Sequence, residues 1–543
     1  MILVSFNSLL YIEQEPIFFS ILTDTFMKSL VEALSHPEAY THASGTIEVV
    51  ETHISWIFLT ESLAYKIKKP LNLGFLDFST LEQRHYYCNE ELRLNRRLCP
   101  EIYLSVVPVV CARDTFFVEA EGEIVDYAVK MVRFDRTMEL DRMLAQKLLT
   151  GNHIDHLASM IARFHISLPS VPAESGCGHP DNLVKPMLHN FTAMESIALN
   201  QREIDQLEEL RAWTIQEHQR LYPLLLQRKS GGFIRPCHGD MHTGNMVLWQ
   251  NRIFLFDCIE FNDHLSNIDV ISDLAFLFMD LDHGGEPRLA WRLLNNYMME
   301  TGDYKAIPLL LFYALYRAMV RAKVTAIRYA QTIGQSHAQQ ILEEHRSYIL
   351  LAQGYSCPKK PLLILTYGVS GSGKTTVSTD IARSLPCIHI RSDIERKRLA
   401  GLKPLERSKQ STLSYTDEIN HQTYHRLLDV ARLCIEAGIS VIVDATFLMA
   451  DKRKLFMDLA KRLKTPCRIL HFSSPEKVLM KRVHQRYLRR NDASEADTTV
   501  LASQLEKQET LTAEEREITL EINTEQPVDA AGFTSLLQSV IAS

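Results

Sequence analysis

Residues 368–376 read Gly-Val-Ser-Gly-Ser-Gly-Lys-Thr-Thr, and they decide how the last third of the chain folds. The stretch fits the anion-cradling spacing G-x-x-x-x-G-K-[ST]. Glycines let backbone N–H groups turn inward around a phosphate, Lys374 reaches its outer oxygens, and the Thr375 hydroxyl is placed to hold Mg²⁺. The residues expected to touch a nucleotide are Gly368, Val369, Ser370, Gly371, Ser372, Gly373, Lys374, Thr375 and Thr376. The flanks agree. Residues 361–367 (PLLILTY) are a short apolar run of strand type, and residues 377–385 (VSTDIARSL) have helical spacing. The loop therefore opens a helix N-terminus, where the dipole favours an anion.

Outward from this loop, strand and helix patterns alternate. Candidate strands lie at 361–367, 387–392, 439–443, 467–472 and 518–523. Alternation of this kind predicts a parallel sheet with helices on both faces, and ligands gather at the carboxyl ends of its strands. Asp393 and Asp444 each follow such an end. Asp393 is placed to take a proton from an acceptor hydroxyl, and Arg396, three residues on, to hold an anionic part of that acceptor. Asp444, in Val-Ile-Val-Asp-Ala, is placed to hold Mg²⁺ or its water. Arg482, Arg486 and Arg490 recur every four residues and share one helix face. They are expected to close over a transferring phosphoryl group. A linker at 351–360 separates this region, 361–543, from residues 27–350.

The earlier region carries its own constellation. Residues 238–245 read His-Gly-Asp-Met-His-Thr-Gly-Asn, and Asp257 follows twelve residues after Asn245. Residues 246–249 and 252–256 are strand-like around Gln250-Asn251. A hairpin of that length sets Asn245 and Asp257 side by side at its open end. An amide oxygen beside a carboxylate makes a Mg²⁺ site that keeps room for waters and phosphate oxygens. Asp240 lies on the loop feeding the hairpin, placed to accept a hydroxyl proton. Strand-like runs at 55–59, 63–68, 103–110, 115–119 and 127–133 precede a mostly helical remainder. This predicts a sheet-rich small lobe and a helical large lobe.

The spacing of Asp240 and Asn245 matches the protein-kinase catalytic loop, with Gly239 where that loop has arginine. Together with Asp257, it resembles the aminoglycoside phosphotransferase-like family, which includes choline- and sugar-amine-type kinases. The resemblance implies that Asp240 is the catalytic base, that Asn245 and Asp257 are metal ligands, and that Asp273 braces the loop. It also implies a strand lysine paired with a helix glutamate. Lys66 fits the first, with Lys68 on the same face. Glu91 fits the second, with Glu90 as competitor. No Gly-x-Gly-x-x-Gly precedes Lys66, so phosphate coverage is expected from residues near 44–45 or 60–62. Residues 361–525 resemble the P-loop kinases that contain gluconate kinase and the 5′-polynucleotide kinases. Lys374 and Asp393 would then be catalytic. The order of the two parts resembles bacterial fusions of an aminoglycoside phosphotransferase-like domain with an AAA-type ATP-binding P-loop domain. The implied fold class is an α+β protein-kinase-like domain followed by an α/β P-loop domain with a parallel sheet. The implied cofactors are ATP and Mg²⁺.

Composition sets the outer limits. The chain has 543 residues, a formal net charge of −7, 46% hydrophobic residues and 23% charged residues. That is a multi-domain globular chain, and its charge argues against a general nucleic-acid or membrane-surface binder. Ten cysteines without a C-x-x-C pair read as reduced thiols in a cytoplasmic protein. Arg317, Arg321 and Arg328 share a helix face, expected to be solvated or interlobe, and lone histidines such as His53, His165 and His242 are expected to be hydrogen-bonding partners. Residues 1–26 read as an extension or tail, with Met27 as an alternative start. The expected activity is ATP-dependent phosphorylation of small-molecule hydroxyls at two sites. Two alternatives stand beside it: a metabolite-sensing first half, and a polynucleotide 5′-hydroxyl kinase in the second.

Overall fold

Residues 55–59 (SWIFL) and 63–68 (LAYKIK) are rich in the aromatic and β-branched side chains that suit a pleated surface, and a register of five residue pairs, from Ser55↔Lys68 to Leu59↔Ala64, ties them into a hairpin. In the computed structural model they form β2 (Ser55–Leu59) and β3 (Leu63–Lys68). With β1 (Glu48–Glu51), β4 (Tyr103–Ala112), β5 (Thr115–Val118) and β6 (Glu123–Val132) they build an antiparallel sheet of order β1-β2-β3-β6-β4-β5. The structure describes residues 21–42, 44–74, 76–195, 200–357, 359–406, 417–489 and 492–542. Arg490 and most of the expected N-terminal tail lie outside them.

The chain divides into two compact units. The first comprises Met1–Thr150, Phe164–Gly284 and Leu311–Ser356; the second comprises Gly151–Arg163, Gly285–Leu310 and Cys357–Ser543. The chain thus enters the second unit twice before its final passage at Cys357.

In the first unit, Leu30, Leu34, Phe58, Tyr65 and Ile67 pack on one face of the antiparallel sheet. The helix Leu81–Asn95 lies against the sheet and opens with a capping box, Thr80 and Gln83 each bonding the other's backbone N–H. Farther on, β7 (Ile234–Pro236) pairs with β10 (Asn267–Asp269), and β8 (Met246–Trp249) pairs with β9 (Arg252–Leu255). Gln250 and Asn251 both have positive φ, 49° and 59°. That is the backbone a two-residue hairpin turn requires. Asp269 caps the helix Val270–His283 and receives a bidentate guanidinium from buried Arg228, at 2.6 and 2.7 Å.

In the second unit, β11 (Leu363–Tyr367), β12 (Cys387–Arg391), β13 (Ser440–Asp444), β14 (Cys467–Ser473) and β15 (Thr519–Asn523) form a wholly parallel sheet of order β12-β13-β11-β14-β15. All five strands overlap the runs expected from sequence. The glycine loop follows β11, Asp444 ends β13, and Asp393 stands just after β12. Strand β12 is an edge. The helix Pro287–Thr301 covers it, and Asn295 donates to the Cys387 carbonyl at 2.9 Å and accepts from the His389 N–H at 2.8 Å. No helix among the described residues is long and apolar enough to cross a membrane. All ten cysteines are free thiols.

Lys323, on the helix Leu310–Thr332, is 2% exposed, and its Nζ has no hydrogen-bond partner. Burial lowers its ammonium from 10.5 to about 7. Between those values the unfolded chain binds the extra proton, so stability rises with pH across this window, by up to about 1.4 kcal/mol per pH unit. Lys323→Met should flatten that rise. Chemical denaturation of both proteins at pH 7, 8 and 9 checks it, and an unchanged slope would refute it.

Candidate active sites

The first site is built on β3. Lys66 and Lys68 alternate with Ile67 and so share one face of the strand. Glu91, wholly buried on the helix Leu81–Asn95, accepts from both: Oε1 from Lys66 Nζ at 2.8 Å and Oε2 from Lys68 Nζ at 2.7 Å. Glu90 instead pairs with Arg93 at the surface. Lys66 Nζ also donates to Asp257 Oδ1 at 2.6 Å, and Lys68 pairs with buried Glu260. Burial opposes charge on both lysines, but the surrounding carboxylates outweigh it and raise both ammoniums above their usual range. Burial likewise works against Glu91, and the two ammoniums hold it below the usual carboxylate range. Burial pushes Glu260 upward against the pull of Lys68.

At the open end of the hairpin the Phe256 N–H donates to the Asn245 carbonyl at 3.0 Å, which brings Asn245 alongside the residue before Asp257. Asn245 Nδ2 donates to the carbonyl and to Oδ2 of Asp240, each at 3.0 Å. This fixes the amide orientation. Two buried oxygens then remain without a hydrogen-bond partner, Asp240 Oδ1 and Asn245 Oδ1. Buried acceptors are rarely left so. Both are of the hard oxygen type that Mg²⁺ or a hydroxyl proton satisfies, so the residues fit a divalent cation. Asp257 itself has φ 65°, a strained conformation of the sort found at functional sites.

The loop carrying Asp240 is held from several sides. Asp273 accepts from the N–H groups of His238 and Gly239, at 3.0 and 2.9 Å, and faces His165 Nε2 at 3.2 Å. Burial alone would raise Asp273, yet His165, His238 and these bonds hold it below the usual range. His165, Cys237 and Asp273 come within metal-ligand distance of one another, but both carboxylate oxygens are already committed to the loop. Asp280 accepts from Thr243 N at 2.9 Å and from its hydroxyl. His242 Nδ1 accepts from Gly244 N at 3.1 Å, and its Nε2 lies 3.4 Å from Asp240 Oδ2. Gly239 has φ 88°, and a Cβ there would meet the Leu265 carbonyl at 2.9 Å. An arginine would not fit.

Of the two readings of the arginine face on the helix Leu310–Thr332, solvated or interlobe, the solvated one fails for Arg317. Arg317 is buried. It donates to the Gly239 carbonyl at 3.1 Å and to the Ser272 carbonyl at 3.3 Å, and it lies over the Phe276 ring. Arg321 donates to Tyr348 Oη at 3.2 Å. Periodicity marks a face but not what covers it. A cavity of about 1100 Å³ opens beside Lys66 and Asp257, with Val50, Leu59, Ala64 and Met131 among its apolar walls. Residues 44–45 and 60–62 do not line it. Thr52 and His53, between β1 and β2, do.

The second site surrounds the glycine loop. The helix Lys374–Ala382 starts at Lys374. Lys374 Nζ donates to the Val369 carbonyl at 2.8 Å, and burial lowers it to about 8 despite the nearby Asp444 and Asp393. Gly371 has φ 83°, and a Cβ there would press on Val483 at 2.9 Å. Thr375 is half-buried and Thr376 exposed. Asp444 lies 3.4 Å from His389 Nε2. Asp393 accepts from Arg396 Nη1 at 2.7 Å, so Arg396 engages this carboxylate. Burial works against ionisation of Asp393, but Arg396, Arg391 and Arg486 keep it below the usual range. Arg486 therefore stands near both Asp393 and Lys374. Arg482 turns onto the loop instead, donating to Thr524 Oγ1 at 2.9 Å, the Thr524 carbonyl at 2.6 Å and the Gly371 carbonyl at 3.4 Å. Gln504 Oε1 accepts from Ser370 N at 2.7 Å. Neither Thr524 nor Gln504 carries a local sequence signal, because each meets the loop from more than a hundred residues away.

Two family models match these regions. Residues 89–308 match the phosphotransferase enzyme family, and residues 363–511 match an AAA domain. The chain thus carries a stretch similar to the phosphotransferase enzyme family ahead of one similar to an AAA domain. An uncharacterized protein of Mycobacterium tuberculosis (strain ATCC 25618 / H37Rv) is 28% identical over 418 residues, 76% of this chain and 81% of the relative. An uncharacterized protein of Mycobacterium bovis (strain ATCC BAA-935 / AF2122/97) matches with the same figures. Among solved structures, a gluconokinase from Sinorhizobium meliloti 1021 is 22% identical with a TM-score of 0.25, covering 34% of this chain and 93% of that one. The Mycobacterium tuberculosis APS kinase in complex with AMPPNP and APS is 16% identical with a TM-score of 0.26, covering 34% and 100%.

Asp273→Asn removes the charge and one acceptor from a buried carboxylate, at a cost of about 1–3 kcal/mol. Hydrogen exchange should then quicken at the amides of His238 and Gly239. Unchanged exchange there would show that the loop does not hang on Asp273.

Proposed function

We propose that the chain is an ATP- and Mg²⁺-dependent phosphotransferase with two separate sites, one in residues 27–350 and one in residues 361–543, each transferring the terminal phosphoryl group to an alcohol. The observation that carries the reading is the pair of orphaned oxygens, Asp240 Oδ1 and Asn245 Oδ1, beside the Lys66–Asp257 ion pair. In the first site Asp240 takes the acceptor's proton, and Asn245 Nδ2 holds that carboxylate by its other oxygen. Lys66, fixed by Glu91, presents its ammonium to the nucleotide phosphates. The apolar walls at Val50, Leu59, Ala64 and Met131 suit a purine ring.

In the second site the loop amides and Lys374 cradle the phosphates, Asp393 takes the acceptor's proton, and Arg486 bears on the developing charge. Burial disfavours the Lys374 ammonium, so a phosphate beside it restores its lost solvation. Bound Mg²⁺, held by Asn245 and Asp257 in one site and by Thr375 and Asp444 in the other, would neutralise phosphate charge and align the nucleotide. The polynucleotide-kinase alternative is the lesser reading, since Arg396 already engages Asp393 and the net charge is −7.

A general base contributes roughly 10²–10⁴-fold. Asp240→Asn should silence transfer at the first site by that order and leave the second. Lys374→Ala should do the reverse. A metabolite-pool screen for ATP-dependent gain of one phosphate, run on both variants, checks this. Loss of all transfer in either single variant would overturn the two-site reading.

A further inference from the structure

We propose that residues 299–304 serve the second site: through Glu395, Arg398 and Arg426 they set the position of the short helix that carries Asp393. The inference rests on the reading of Asp393 as the base of that site. The helix Ser392–Leu399 is eight residues long and starts directly after β12, with no side-chain cap at Arg391. Two turns of helix do not hold themselves in water, so packing must fix them. Arg396 donates to Asp393, and Lys397 donates to the Glu406 carbonyl at 2.8 Å and pairs with Glu495 at 3.3 Å. Glu395 is 1% exposed and takes a guanidinium on each oxygen. Arg398 Nε donates to Oε1 and Arg426 Nε, from the helix Asp417–Glu436, to Oε2, both at 3.2 Å.

Both guanidiniums continue onto the end of the helix Pro287–Thr301. Arg398 Nη2 donates to the Met299 carbonyl at 2.7 Å, and Arg426 Nη2 to the Gly302 carbonyl at 3.0 Å. Met299 carries one of the last four carbonyls of that helix, which have no partner within it, and the dipole there favours cations. The Arg426 guanidinium also lies 5.8 Å from the centroid of the buried Tyr304 ring. The approach at residue 302 is tight. Gly302 has φ 69°, and a Cβ there would meet Arg398 Cζ at 2.5 Å. One buried carboxylate, two guanidiniums and two carbonyls thus bridge residue 395 to residues 299–302. All of them belong to the second compact unit, although residues 299–304 lie within the stretch 89–308 that matches the phosphotransferase enzyme family. Loss of either guanidinium leaves the buried Glu395 charge half-paired, and the helix loses its hold two residues from Asp393. A displacement of about 1 Å at a reacting group costs on the order of 10²-fold in rate. Glu395, Arg398 and Arg426 are therefore positioning residues that act through Asp393.

The test uses the full chain carrying Asp240→Asn, with ATP-dependent gain of one phosphate in a metabolite pool as the rate and hydrogen exchange as the second readout. Arg426→Ala and Gly302→Ala should each lower kcat at least about tenfold and move the KM for ATP less than twofold, and Arg426→Lys should recover part of the loss. Exchange should quicken at the amides of residues 393–399 and stay unchanged along the helix Lys374–Ala382. A rise in the KM for ATP equal to the fall in kcat, or quickened exchange along both helices, would mark a merely structural role and overturn the inference. Unchanged exchange at residues 393–399 would overturn it too, because the bridge would then not hold the helix. If Asp393→Asn silences transfer while the bridge variants do not, this inference alone falls. If Asp393→Asn keeps full transfer, or the parent shows none, the reading of Asp393 as base falls and the inference with it.

Discussion

One ammonium group, Nζ of Lys66, sits between the carboxylates of Glu91 and Asp257 and is nearly out of reach of water. Three segments far apart in sequence must meet for that to happen: β3, the helix Leu81–Asn95 and the turn after β9. Taking such charges from water costs several kcal/mol each, and only close pairing repays it. The cluster grows to two lysines and three acids once Lys68 and Glu260 are counted, and the acids are in excess. An excess of buried negative charge is tolerable where a cation completes it. The six-stranded sheet and the turn that carries Asp257 are therefore registered to each other by this buried cluster.

The two candidate sites are assembled by different means. The glycine loop is built from a strand, a helix and a few distant braces such as Thr524 and Gln504. The first site has no such loop and depends on side chains brought together by tertiary packing. Its bracing is correspondingly heavier. Asp273, Asp280 and Arg317 all bind backbone or hydroxyl groups of residues 238–243, and all three are buried.

This difference explains what the sequence made legible. The glycine loop, the five parallel strands and the hairpin between Asn245 and Asp257 are local patterns, and each could be read from its own residues. The partner of a buried charge is not local. Lys66 and Lys68 were inseparable by spacing, and the structure shows why: Glu91 takes one of them on each oxygen. Sequence leaves Arg317 open between a solvated and an interlobe cation, because its helix face is legible and the loop covering it is not. Residues 52–53 line the cavity beside Lys66, and sequence does not point to them, because β1, with glutamates at both ends and one buried valine, carries too little alternation to read as a strand. Without β1, the turn at 52–54 has no meaning.

The amide of Asn295 does for β12 what a neighbouring strand would do. It fills one carbonyl and one N–H on an edge that would otherwise stand open, and the rest of its helix lies alongside. Open edges recruit strands from other molecules. A fragment cut at residue 361 would carry the whole parallel sheet yet bare that margin, so solubility of the C-terminal part is borrowed from a helix encoded some sixty residues upstream of the cut.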